Sequence, residues 1–304
     1  MSEVPPPSSP ADVADYPIVL WIPQLVATKG FFPAHGGQGP AHYTLGMVQS
    51  FAALFHAFNA PTASGQVLEI LSNTALFSLY SNNFGGDGRN DFAYPALDGV
   101  TPVGGPPGQQ GADTLGMTWL IASQSVPSVG PLAGTLALFG GSFVPGGWLA
   151  ADGAMYPPSA FPELFGVIGS TFGGDGQSSF AVPNLTGAAP VGTGVGPAGQ
   201  SIAMGEQVSG QTPGLGLDYL ICTDGLFPTE DGDGDLTAGV FVGHIVPWAG
   251  GTIPQGWLAC DGSQLPISSY MMLFKVIGTL YGGDGVQSFA LPDLSGLMIQ
   301  GRTI

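Results

Sequence analysis

The tetrapeptide Gly-Gly-Asp-Gly recurs three times, at Gly85–Gly88, Gly173–Gly176 and Gly282–Gly285. Self-similarity of this kind constrains a fold more than any single residue does, because each copy must be one structural unit. After each tetrapeptide come a Phe and then a Pro-x-Leu-x-Gly segment: Pro95-Ala96-Leu97-Asp98-Gly99, Pro183-Asn184-Leu185-Thr186-Gly187 and Pro292-Asp293-Leu294-Ser295-Gly296. Twenty-five residues before the second and third tetrapeptides stands a Trp, in Gly147-Trp148-Leu149-Ala150-Ala151-Asp152-Gly153 and Gly256-Trp257-Leu258-Ala259-Cys260-Asp261-Gly262. In the first copy this stretch has decayed to Ala60-Pro61-Thr62-Ala63-Ser64-Gly65 with its spacing kept. The chain is three tandem copies, the first divergent.

Within a copy the elements follow from local chemistry. A strand opens each unit, over 46–51, 134–139 and 243–248. The Trp-Leu-x-x-Asp-Gly run alternates apolar and polar residues and ends in a turn dipeptide. A short helix comes next. In copy three Ser268 or Ser269 is its expected cap, Tyr270, Leu273, Phe274 and Ile277 form one apolar face, and Gly278 stops it. Copy two repeats this with Ser159, Phe161, Leu164, Phe165, Ile168 and Gly169, and copy one keeps Leu76, Phe77 and Tyr80. The glycine loop then supplies the positive φ angles needed to return the chain into a further strand. The class expected is mainly β with short helices (α+β).

Composition sharpens the reading. Gly 51 and Pro 28 of 304 residues signal low complexity, but a 44% hydrophobic content provides a core that disordered chains lack. Only Lys29, Arg89, Lys275 and Arg302 are cationic, and the formal charge is −17, so nucleic acid is excluded as a partner. The longest greasy stretch, Pro17 to Ala27, is too short for a membrane span. The start, Met1-Ser2-Glu3-Val4, does not have the form of a Sec-type signal peptide. Cys222 and Cys260 are too few for a disulfide scaffold; they pair with each other or are two buried thiols.

Together, Pro-x-Gly-Trp-Leu-x-x-Asp-Gly, a Leu-Phe helix, Gly-Gly-Asp-Gly and Leu-Pro-Asp-Leu resemble the phage tail collar domain, found in short tail fibres and in the microcystin-dependent proteins. The resemblance covers roughly 46–106, 134–197 and 243–304. It implies an interwoven homotrimer with itself as partner, acting as a non-enzymatic fibre element of a virion tail or extracellular appendage.

A strand-like segment stands between copies: Leu220 to Pro228, Leu120 to Pro127, and before copy one Leu25-Val26-Ala27-Thr28-Lys29-Gly30-Phe31-Phe32-Pro33. In collar proteins such a strand follows the collar motifs and closes the domain. On that assignment 1–33 is an extension with a surplus donor strand, 34–127 and 128–228 are repeats with closing strands, and 229–304 is an acidic linker and a third repeat without one. An unpaired sheet edge accepts a strand from another chain, so Leu25, Val26, Ala27, Phe31 and Phe32 are candidate assembly residues for head-to-tail polymerisation of trimers. The alternative is that the strand starts copy one within its own trimer.

The candidate chemistry is sparse. Asp87, Asp175 and Asp284 either cap their own loops or line a metal or glycan site. Trp148 and Trp257 are core anchors or sugar platforms, and Asp152 and Asp261 end the Trp strands. Asp231, Asp233 and Asp235 have a spacing suited to Ca²⁺, although Val242 stands where a calcium loop places its bidentate Glu. The histidines, His35, His42, His56 and His244, form no zinc spacing. Collar-bearing fibres hold metal by three copies of one His on the trimer axis, and nothing in the sequence selects one. With no nucleophile elbow and no phosphate loop, no catalytic residue is assigned. Two functions stand: a structural fibre subunit, or an adhesin contacting host glycan or protein.

Overall fold

The structure, a computed structural model, describes residues 19–34, 41–53, 60–126, 130–228 and 236–302. Nine strands carry its architecture: β1 (Val19–Val26), β2 (Met47–Phe51), β3 (Thr101–Gly104), β4 (Thr114–Ala122), β5 (Leu136–Phe139), β6 (Ala189–Gly192), β7 (Gly214–Cys222), β8 (His244–Trp248) and β9 (Met298–Arg302). They fall into three kinds that repeat along the chain. The opening strands are β2, β5 and β8, the strands after the Pro-x-Leu-x-Gly motif are β3, β6 and β9, and the closing strands are β1, β4 and β7.

Each closing strand joins two modules. β4 runs parallel to β3 of the first module and antiparallel to β5 of the second. β7 runs parallel to β6 and antiparallel to β8 in the same way. β1 runs parallel to β9, with Leu20 opposite Ile299, and antiparallel to β2, with Gln24 opposite Ser50. The registers coincide: Gln24 on β1, Trp119 on β4 and Tyr219 on β7 face Ser50, Leu138 and Pro247. The chain therefore closes on itself with a pseudo-threefold axis.

This corrects the expectation that the third module lacks its closing strand. β1 both starts module one and completes module three within one chain. Its Ile22 and Leu25, with Ala27 just after it, are fully buried in the cluster that contains Phe289, Leu294 and Ile299 of module three. Closing strands are covered on both faces, which is why β4 and β7 read as near-continuous apolar runs rather than alternating ones.

The helices are α1 (Thr74–Tyr80), α2 (Pro162–Ile168) and α3 (Met271–Ile277), each bearing its apolar face inward through Leu76, Leu79 and Tyr80, Leu164 and Ile168, or Leu273, Val276 and Ile277. The expected serine caps are not used. The residues flanking the helices are Asn73, Phe161 and Tyr270, none with a side-chain cap bond. Gly169 and Gly278 end α2 and α3 as expected, at φ 55 in both.

Candidate functional site

The three modules meet at a junction built from backbone. Gly104 on β3, Gly192 on β6 and Gly301 on β9 occupy equivalent positions, seven residues after Leu97, Leu185 and Leu294 of their own motifs. Each meets the motif of the next module. The Gly104 N–H donates to Ala188 O at 3.0 Å, and Gly187 N–H donates to Gly104 O at 2.7 Å. Gly192 N–H donates to Leu297 O at 2.9 Å and receives Gly296 N–H at 2.8 Å. Gly301 N–H donates to Val100 O at 3.3 Å and receives Gly99 N–H at 3.0 Å. The sense is one to two, two to three, three to one.

Only glycine permits this approach. A Cβ on Gly104 would lie 2.1 Å from Leu185 O, on Gly192 1.8 Å from Leu294 O, and on Gly301 2.2 Å from Leu97 O. A second ring of bonds joins the opening strands. Gly140 N–H donates to Gly46 O at 3.0 Å, Ala249 N–H to Gly134 O at 3.1 Å, and Ala52 N–H to Gly243 O at 2.9 Å. Two hydrogen-bonded triangles thus hold the modules around one axis. Motif reading missed the seam glycines, although their constant seven-residue offset from the motif leucine was a signal that could have found them.

The glycine-loop aspartates serve their own loops. Asp175 Oδ1 accepts the N–H groups of Gln177, Ser178 and Ser179 at 2.8–2.9 Å. Asp284 does the same with Val286, Gln287 and Ser288, and Asp87 with Arg89, Asn90 and Asp91. These donors, led by Gln177, Ser288 and Asn90 respectively, hold the carboxylates below their ordinary value of 3.8, Asp284 at about 2. Asp152 and Asp261 accept from Ala154 N–H and Ser263 N–H at the ends of the Trp strands.

Trp148 is buried, and its Nε1–H donates to His42 O at 2.9 Å; the Trp257 ring is buried with Cys222 and Trp248. Both are core residues. Leu25, Val26 and Ala27 are buried within their own chain, whereas Phe31 and Phe32 are 63% and 56% exposed beside a surface depression of about 240 Å³. Asp231, Asp233, Asp235, His35 and His56 lie outside the described residues, and among the described residues no three His, Cys, Asp or Glu come together as a metal site. His244 has no histidine equivalent in the other modules, where Met47 and Thr135 stand at its position, and its ring packs against Tyr43 and Trp257. Cys222 and Cys260 are buried free thiols, and burial pushes Cys222 up to about 12 and Cys260 well above its ordinary range. Among the described residues no helix is long and apolar enough to cross a membrane.

Comparison with known proteins agrees with this geometry. The Phage Tail Collar Domain matches three times, over residues 46–102, 134–190 and 243–299, which together make more than half the chain. Neither the curated proteins nor the solved structures compared with the chain yield a match. Each matched range ends within the strand that follows the Pro-x-Leu-x-Gly motif and excludes the closing strand, so the structural unit is longer than the family motif. Three interlocked collar modules make this chain a member of the phage tail collar domain family, a family of structural fibre domains.

Proposed function

We propose that this protein is a tail-fibre-type structural element in which one chain takes the place of three. The observation that supports it is the cyclic seam, in which each module donates to and receives from the next, and β1 supplies the strand that the third module would otherwise need from a neighbour. Contacts that the family resemblance assigns to an interwoven homotrimer are here made between modules of one chain. An element of this kind is a rigid segment of a fibre, joined to its neighbours through its ends.

Head-to-tail polymerisation by strand addition requires β1 to leave its own module and enter another copy. The molar mass of the purified full chain, measured by light scattering across a dilution series, tests the proposal. A mass near 30.8 kDa at every concentration is expected. A mass three times greater overturns the single-chain reading in favour of a homotrimer, and a concentration-dependent ladder overturns it in favour of strand exchange.

A further inference from the structure

Between the two hydrogen-bonded triangles the pseudo-threefold axis is incompletely filled. Two adjoining cavities of about 20 Å³ each lie there. The first is lined by Gln24, Trp119 and Tyr219, the matched register positions of β1, β4 and β7. The second is lined by Val48, Leu136 and Ile245, the matched positions of β2, β5 and β8. Ser50, Leu138, Pro247 and Trp119 border both.

Three identical chains would place one side chain three times at each level of such an axis. This chain places Gln, Trp and Tyr at one level and Ser, Leu and Pro at the next, so the side chains do not close the axis symmetrically. They also bring polar atoms with no hydrogen-bond partner. Around the first cavity these are Gln24 Oε1, Thr101 Oγ1 and Trp119 Nε1; around the second, Tyr43 OH and His244 Nδ1. All five residues are more than nine-tenths buried. A buried polar atom left unpaired costs on the order of 1–3 kcal/mol, so these five, on residues lining the two cavities, call for partners there.

We propose that the axis is a binding site for a file of two ordered waters, one in each cavity, that together satisfy these five atoms. The size fits: a water needs roughly 10–15 Å³ of such space and makes about three hydrogen bonds. The chemistry selects water over an ion. No carboxylate, Lys or Arg lines either cavity. Trp119 Nε1 can only donate and Gln24 Oε1 can only accept, which rules out a bare cation or anion bonded to both. Burial holds His244 neutral, its imidazole pushed down to about 3, so it adds no charge to attract a counter-ion. A neutral molecule of one heavy atom that both donates and accepts is what remains.

A crystal structure of the full chain at atomic resolution, with a second crystal soaked in bromide, tests this. Two density peaks are expected on the axis, each within about 2.7–3.2 Å of at least two of the five atoms, with no anomalous signal in the bromide crystal. The Trp119→Phe variant removes one donor, and one of the two peaks is expected to weaken or vanish. Fewer than two peaks in the unaltered chain, five atoms paired directly with protein, or an anomalous peak in either cavity overturns the proposal.

Discussion

Ser81 is where the first module departs most instructively from the other two. It ends α1 at φ 51 and ψ −138, the conformation that Gly169 and Gly278 adopt after α2 and α3. That region is strained for any residue with a Cβ. Ser81→Gly is expected to raise stability by about 1 kcal/mol, read as a higher midpoint in chemical denaturation; an unchanged or lower midpoint would count against the strain. The loop aspartates make a pH prediction. Their folded values lie below the ordinary 3.8, so the stability they contribute is fully present above that value and is lost as pH falls through about 2 and below. A chain with Asp87, Asp175 and Asp284 all changed to Asn is expected to show a flatter acid limb between those values than the unaltered chain, measured as thermal midpoint against pH. At this scale the sequence was informative, since a loop aspartate followed by donors two to four residues later is a local pattern. The helix caps were misjudged because the serines sit one or two residues before the N-cap positions Phe161 and Tyr270, where the chain is still turning into the helix.

Among elements, the closing strands and seam glycines decide whether three modules become one object. Opening strands and helices were legible from local periodicity and turn chemistry, but the closing strands were expected at 25–33, 120–127 and 220–228 and lie about six residues earlier, at Val19–Val26, Thr114–Ala122 and Gly214–Cys222. Which strand pairs with which module was not, because three similar modules offer equivalent edges and a strand makes the same contacts with its own chain or with a copy. Gly192→Ala places a Cβ against Leu294 O in the seam. It is expected to cost about 1–3 kcal/mol by overpacking, while Gly251→Ala, with nothing within 4 Å, stays within about 0.5 kcal/mol. Equal effects in denaturation would remove the seam from the account. Removing β1 has a larger consequence. A chain lacking residues 1–26 exposes the edges of β2 and β9 and loses Ile22 and Leu25 from the core. It is expected to aggregate, and a synthetic peptide of residues 18–27 is expected to restore a monodisperse species by light scattering. A truncated chain that stays monodisperse alone would show that β1 is dispensable.

At the scale of the whole molecule, the difference between three chains and one is symmetry. Identical chains must repeat every residue around their axis, whereas this chain varies them: Gln24, Trp119 and Tyr219 at one level, Met47, Thr135 and His244 at another. That freedom leaves buried polar atoms around the axis that need another partner. It also fixes a unique order of modules around the ring. The central claim, that β1 completes the third module of its own chain, is tested most directly by a covalent trap. Leu20→Cys and Ile299→Cys place a thiol on each of two directly paired strands, within the Cα separation a disulfide accepts. Cys222 and Cys260 are first changed to Ala, the residue at their equivalents Ala122 and Ala151. After mild oxidation and denaturation without reductant, the account predicts a single band of one chain with its new thiols consumed. A ladder of cross-linked multimers would contradict it.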